Sequence, residues 1–228
     1  MNLLLIAIAP VIIIIIYIYN KDKFEKEPKK FLFKNFLLGA TASILITAIV
    51  GAIVSGFLPV SDVKSVYQMF IKAFFAVALV EEFSKYIIVR YYAQRNKEFN
   101  EPFDGIVYAV MVSMGFAALE NVLYTFQHGA TTGIMRAFTA VPAHATFAIL
   151  MGYFMGKAKL SKNRFQLNML GLLFATLFHG TYDFFLFINF IPGIYVGAFA
   201  SLIIGIILAK KAIKKHQISS NFRTKFKL

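Results

Sequence analysis

The chain has 228 residues, of which 59% are hydrophobic and 15% charged, whereas a soluble domain carries about a quarter charged residues. That excludes an ordinary cytosolic globule and a disordered chain. A net charge of +13 in so apolar a chain points to lipid headgroups and membrane topology and away from nucleic acid, and the absence of cysteine removes disulfides, thiolate zinc sites and cysteine nucleophiles.

A membrane-crossing helix needs roughly 20 mostly apolar residues. Seven such runs follow one another, over about 3–19, 33–58, 68–92, 103–126, 134–156, 167–188 and 191–209. The connections are short, so the expected fold is all-α: a polytopic membrane bundle of about seven transmembrane helices. It forms a single domain over 1–228, with a motif-bearing core at about 68–188 and a basic tail over 210–228. The first run has no basic start and exceeds the apolar stretch of a signal peptide, so it reads as a retained anchor. Pro142 falls inside the fifth run, where it should kink the helix. The pairs Gly152/Gly156 and Gly193/Gly197 suit close helix packing.

Basic residues set the orientation. Lys21, Lys23, Lys26, Lys29, Lys30 and Lys34 lie in the first connection. Arg90, Arg95 and Lys97 lie in the third, and Lys157, Lys159, Lys162 and Arg164 in the fifth. The tail adds Lys210, Lys211, Lys214, Lys215, Arg223, Lys225 and Lys227. The opposite side holds Lys64, Lys72 and Arg136. Positive-inside then predicts an outer N-terminus and an inner C-terminus, in a plasma membrane. The tail reads as a topology anchor, with a sharper reading as an anionic-lipid contact.

Seven ionisable side chains fall inside the runs: Glu81, Glu82, Lys85, Glu120, His144, His179 and Asp183. A charge at a helix centre costs about 2.5–3.5 kcal/mol on insertion scales. Such groups must pair, bind an ion, change protonation or line a wet cavity. At 1.5 Å per residue, Glu120, His144, His179 and Asp183 lie roughly 7–15 Å from the outer end of their runs, and Glu81 and Glu82 roughly 20 Å. One shared layer is therefore expected. Glu81 and Lys85 share a face at i,i+4, with Glu82 in reach at i,i+3. Glu120 shares a face with Tyr124, and a neutral acid bonded to that tyrosine is its bland reading. His179 and Asp183 also share a face, where the carboxylate can orient the imidazole.

Buried carboxylates and histidines build proton relays as well as hydrolytic sites. A zinc H-E-x-x-H helix is absent, Asp104 sits at a helix mouth rather than forming a membrane dyad with Asp183, and no Gly-x-Ser turn is present. Among hydrolytic mechanisms, a carboxylate that activates water with help from histidine remains. The competing classes are a small proton-coupled transporter, against which the chain shows no repeat between halves, and a non-catalytic scaffold.

Glu81-Glu82-x-x-Lys85, Gly115-Phe116-x-x-x-Glu120-Asn121, Pro142-x-His144 and His179-Gly-x-Tyr-Asp183 occur in order, with Phe103-Asp104-Gly105-Ile106 before the second of them. Together they resemble the membrane motifs of the PrsW family of intramembrane proteases, distantly similar to CAAX-type prenyl proteases. The resemblance spans about residues 79–187. It implies hydrolysis of a membrane-anchored protein, an anti-sigma factor in the best-studied member, cut on the outer side in an envelope-stress pathway. It implies catalytic roles for Glu81, Glu82, Lys85, Glu120, His144, His179 and Asp183. On this reading Glu81 is the general base. His144 and His179 either bind a metal such as zinc with a carboxylate, Glu82 first among the candidates, or donate to the oxyanion.

Overall fold

The computed structural model describes residues 2–58 and 60–220, and no strand occurs among them. Helix α1 (Leu3–Lys21) is followed by α2 (Lys29–Leu38) and α3 (Ile44–Phe57), joined by a π-helical stretch at Gly39–Ser43. Next, α4 (Val66–Ile71) and α5 (Leu79–Ile88) are joined by a π-helical stretch at Lys72–Ala78, and another follows at Val89–Ala93. The remaining helices are α6 (Pro102–His128), α7 (Ala130–Phe138), α8 (Ala140–Lys159), α9 (Arg164–Phe187) and α10 (Val196–Ser219).

Among the described residues, six runs are long and apolar enough to cross a membrane: Leu3–Lys21, Lys29–Phe57, Pro102–His128, Ala130–Lys159, Arg164–Phe187 and Val196–Ser219. The sequence pattern predicts about seven. The additional run is helical from 66 to 93 without a break, but it carries Lys72, Glu81, Glu82, Lys85 and Arg90. An isolated helix with that charge does not enter lipid. Here the polar side turns inward: Glu82, Ser84 and Lys85 are buried, while Leu79 and Phe83 face outward. A π turn holds an extra residue, which rotates whatever follows by about 100° around the axis. The stretch at Lys72–Ala78 makes such a rotation just ahead of the two glutamates.

Helix α6 is the central post, with every residue from Pro102 to Ala118 buried. Its crossing with α8 depends on glycine. A Cβ at Gly105 would overlap the backbone of Gly152 and Gly156, so the three small residues set how closely the helices approach.

Two boundaries differ from the pattern. The run expected at 134–156 does not kink at Pro142; it breaks at Thr139 (φ −123°, ψ −77°), which separates α7 from α8. Pro142 thus lies in the first turn of α8, where helical N–H groups have no partner to lose. The last run, expected to stop near 209, continues through Lys210, Lys211, Lys214 and Lys215 to Ser219. Arg223, Lys225 and Lys227 of the tail lie outside the described residues.

The lysine-rich connections meet at one end of the bundle. Gln217 Nε2 donates to the Lys21 carbonyl at 2.5 Å, and Lys159 Nζ donates to the carbonyls of Gln94 and Asn96 at 2.7 and 3.2 Å. Asp104, at the mouth of α6, accepts from the N–H groups of Asn100 and Glu101 at 2.6 and 2.8 Å. Two acids of the α1–α2 connection are buried here as well. Burial, reinforced by Glu101, pushes Asp22 up to about 7. Burial and the adjoining Asp104 carboxyl push Glu27 up to about 10, and the Tyr108 hydroxyl donates to it.

Candidate active site

At the opposite half of the bundle, α5, α6, α8 and α9 bring all seven singled-out residues together. Lys85 is the hub. Its Nζ lies 2.7 Å from Glu82 Oε1, 3.4 Å from Glu81 Oε2 and 3.2 Å from His144 Nδ1. The helical spacing on α5 accounts for the two glutamate contacts, and the third crosses to α8. The ammonium also sits 4.2 Å from the centroid of the Phe116 ring, a cation–π contact.

His144 and His179 are each engaged at both ring nitrogens. His144 Nε2 is 2.8 Å from Glu120 Oε2, which leaves Nδ1 facing Lys85. His179 Nδ1 is 3.0 Å from Glu82 Oε1, and Nε2 is 3.3 Å from Asp183 Oδ2. A carboxylate on one ring nitrogen fixes the orientation of the other, the arrangement that supports metal-bound histidines. Phe147 stacks on His179 at 4.9 Å and 17°, holding its ring plane.

Glu120 is not paired with Tyr124, as its bland reading has it. It turns to His144 and to Arg136, whose Nη2 lies 2.9 Å from Glu120 Oε2. Arg136 Nε donates to Asn121 Oδ1 at 2.9 Å, and its guanidinium lies 4.2 Å from the centroid of the Tyr124 ring. In the sequence Arg136 stands out only as a topology marker. Its signal was its rarity, as one of the few basic residues on a lysine-poor side.

A cavity of about 480 Å³ opens onto this layer. Its wall is charged and polar at Lys72, Glu81, Glu120, Arg136, His144, His179 and Asp183, and apolar at Val77, Phe147, Leu186 and Phe187. Glu82 and Lys85, each 1% exposed, lie behind the wall, whereas the Glu81 side chain keeps 14% exposure. The adjacent glutamates therefore face different surroundings. The cavity lies where α6 ends and α8 begins, away from the lysine-rich connections.

Four carboxylates (Glu81, Glu82, Glu120, Asp183) meet Lys85 and Arg136, which ion-pair with them, and Lys72 on the same cavity wall. With neutral histidines, one negative charge is in excess, and a site this buried needs it offset by a cation or a proton. Glu82 Oε2 is buried with no hydrogen-bond partner among the described residues. Glu81, Glu82, His144 and His179 each offer a donor atom, all within 4.8 Å of one another. Two imidazoles with carboxylate oxygens suit a catalytic zinc ion, so the residues present fit a metal.

Residues 27–209 match the model of a family described as PrsW family intramembrane metalloprotease. The chain is 40% identical over 187 residues to a protein named Protease PrsW from Oceanobacillus iheyensis, covering 82% of this chain and 83% of that one. It is 36% identical over 200 residues to the Protease PrsW of Geobacillus kaustophilus, covering 87% and 85%. With the Protease PrsW of Bacillus subtilis it shares 34% over 188 residues, covering 78% and 80%. No solved structure matches the chain.

Proposed function

The chain belongs to the PrsW family of intramembrane proteases and is a peptidase; from that premise we propose that it cuts a single-span, membrane-anchored protein on the outer side of the plasma membrane, an anti-sigma factor being the substrate in view. The observation that carries this reading is the convergence of Glu81, Glu82, His144 and His179 donors within 4.8 Å at a cavity. The cavity's position away from the lysine-rich end supports an outer-side cut, because positive-inside assigns that end to the cytoplasm.

Glu81 is the general base, because of the two adjacent glutamates it is the one on the cavity wall. It takes a proton from water as the water oxygen bonds to the scissile carbonyl carbon. It then delivers that proton to the amide nitrogen as the C–N bond breaks. Lys85 holds Glu81 and Glu82 in place and offsets part of their charge. Glu120 and Asp183 aim His144 and His179 at the reacting centre. His144, His179 and Glu82 would hold the metal, for which the close donor cluster and the unpartnered Glu82 oxygen are the support. When bound, an ion such as zinc polarises the carbonyl and acidifies water. Lys85 Nζ contacts Glu82 Oε1 and His144 Nδ1, so ammonium and ion would compete for His144 Nδ1, while Glu82 Oε2 has no partner among the described residues.

The test is cleavage of a single-span substrate by the purified protein in liposomes. Glu81→Gln should lower the rate by about 100-fold or more with the helical content unchanged. Full activity in Glu81→Gln would remove Glu81 as the base.

A further inference from the structure

Helix α10 ends in lysines that pair with no carboxylate among the described residues. Lys210 and Lys214 share one face at i,i+4, and Lys21 at the end of α1 stands across from them. None of the three makes an ion pair among the described residues. The Gln217–Lys21 hydrogen bond ties the two helix ends together, so the three ammonium groups are brought to one pocket rather than left to separate. That pocket, about 470 Å³, also has Tyr17 and Ile213 in its wall.

Beneath it runs an apolar groove of about 180 Å³ between α1, α8 and α10, lined by Ile14, Ile18, Ile149 and Ile206 among others. The groove and the pocket share Tyr17, Lys210 and Ile213, so one leads directly into the other. From Ile14 to Lys21 the path is about 10 Å along α1. A greasy channel that opens upward into a tri-lysine pocket at the membrane–water boundary has the division of a phospholipid: chain below, charged headgroup above.

We propose that this groove is a binding site for an acidic phospholipid, with an acyl chain along the isoleucines and the phosphate held by Lys21, Lys210 and Lys214. Tyr17 sits at the headgroup level, where amphipathic rings prefer to lie. The far end of the groove is formed by Pro142, Ala145 and Thr146 of α8. These belong to the same turns as His144, so the lipid braces the helix segment that presents that imidazole to the cavity.

The experiment counts lipids retained by the full-length protein in native mass spectrometry, after extraction from bilayers of phosphatidylglycerol and phosphatidylcholine. Wild type should keep phosphatidylglycerol preferentially, and Lys21→Gln/Lys210→Gln/Lys214→Gln should bind it at least about tenfold more weakly. A control with equal loss of charge at the same end, Lys23→Gln/Lys30→Gln/Lys162→Gln, should bind it normally. Filling the groove with Ile149→Trp/Ile206→Trp should displace the lipid while every lysine remains. Equal losses in both lysine triples would show a diffuse electrostatic field and overturn the site, as would no loss in either. Full competition by glycerol phosphate, or normal retention in the tryptophan variant, would leave only an anion site and overturn the acyl-chain assignment.

Discussion

Replacing Lys85 by methionine tests the hub of the polar layer. The side chain keeps its length and loses its charge, together with contacts of 2.7 Å to Glu82, 3.4 Å to Glu81 and 3.2 Å to His144. Glu82, at 1% exposure, keeps only its contact with His179. Removing one partner of a buried pair costs about 3–5 kcal/mol, because the other charge is left uncompensated. At about 2–4 °C per kcal/mol for a chain of this size, the melting midpoint should fall by on the order of 10 °C. Circular dichroism suits the assay, since the chain is helical and has no tryptophan. Peptide cleavage should be lost as well. The companion variant Lys85→Met/Glu82→Gln removes both charges and should recover at least about 1 kcal/mol relative to Lys85→Met alone. If Lys85→Met melts like wild type, or the double variant is additive, the reasoning from a desolvated pair is refuted.

Arg136→Gln takes the guanidinium from Glu120 and should lower cleavage by roughly 10- to 100-fold, as loss of groups that orient a catalytic histidine does; wild-type rates would show that Glu120 needs no cation. Asp183→Asn should cost a similar factor through His179, and kinetics in liposomes would detect its absence. Stability should fall as pH rises from about 5 to about 9. The Asp22 carboxyl is raised from 3.8 to about 7 and Glu27 from 4.5 to about 10. Between those limits the folded state holds more protons than the unfolded one, so each step up in pH costs stability. Asp22→Asn/Glu27→Gln should flatten this slope in thermal melts; a midpoint that rises with pH in the wild type would contradict it.

The fold and most of the site were legible because charge inside apolar runs is expensive and therefore conspicuous. Glu81, Lys85, His179 and Asp183 announced their pairings through helical spacing, and those contacts are present at 3.4 Å for Glu81–Lys85 and 3.3 Å for His179–Asp183. Contacts between distant segments left no such trace. Nothing in local spacing joins Arg136 to Glu120, or His144 to Lys85. The π-helical stretch at Lys72–Ala78 was hidden for a related reason: its neighbours are nearly all apolar, so a change of register alters no visible pattern. The break at Thr139 was obscured by Pro142, a stronger breaker that happens to fall where a helix tolerates it. Asp22 and Glu27 were overlooked among lysines, where acids ordinarily remain solvated; here both are buried.

We propose that Glu81, Glu82, His144 and His179, donors from three helices, form a single ion-binding, water-activating centre. The direct measurement is metal content per chain in purified protein of known cleavage activity, for wild type and for His144→Ala/His179→Ala. One tightly held ion is expected in the active wild-type protein and none in the double variant. Full cleavage by a preparation without metal, or an ion retained after both histidines are gone, would contradict it.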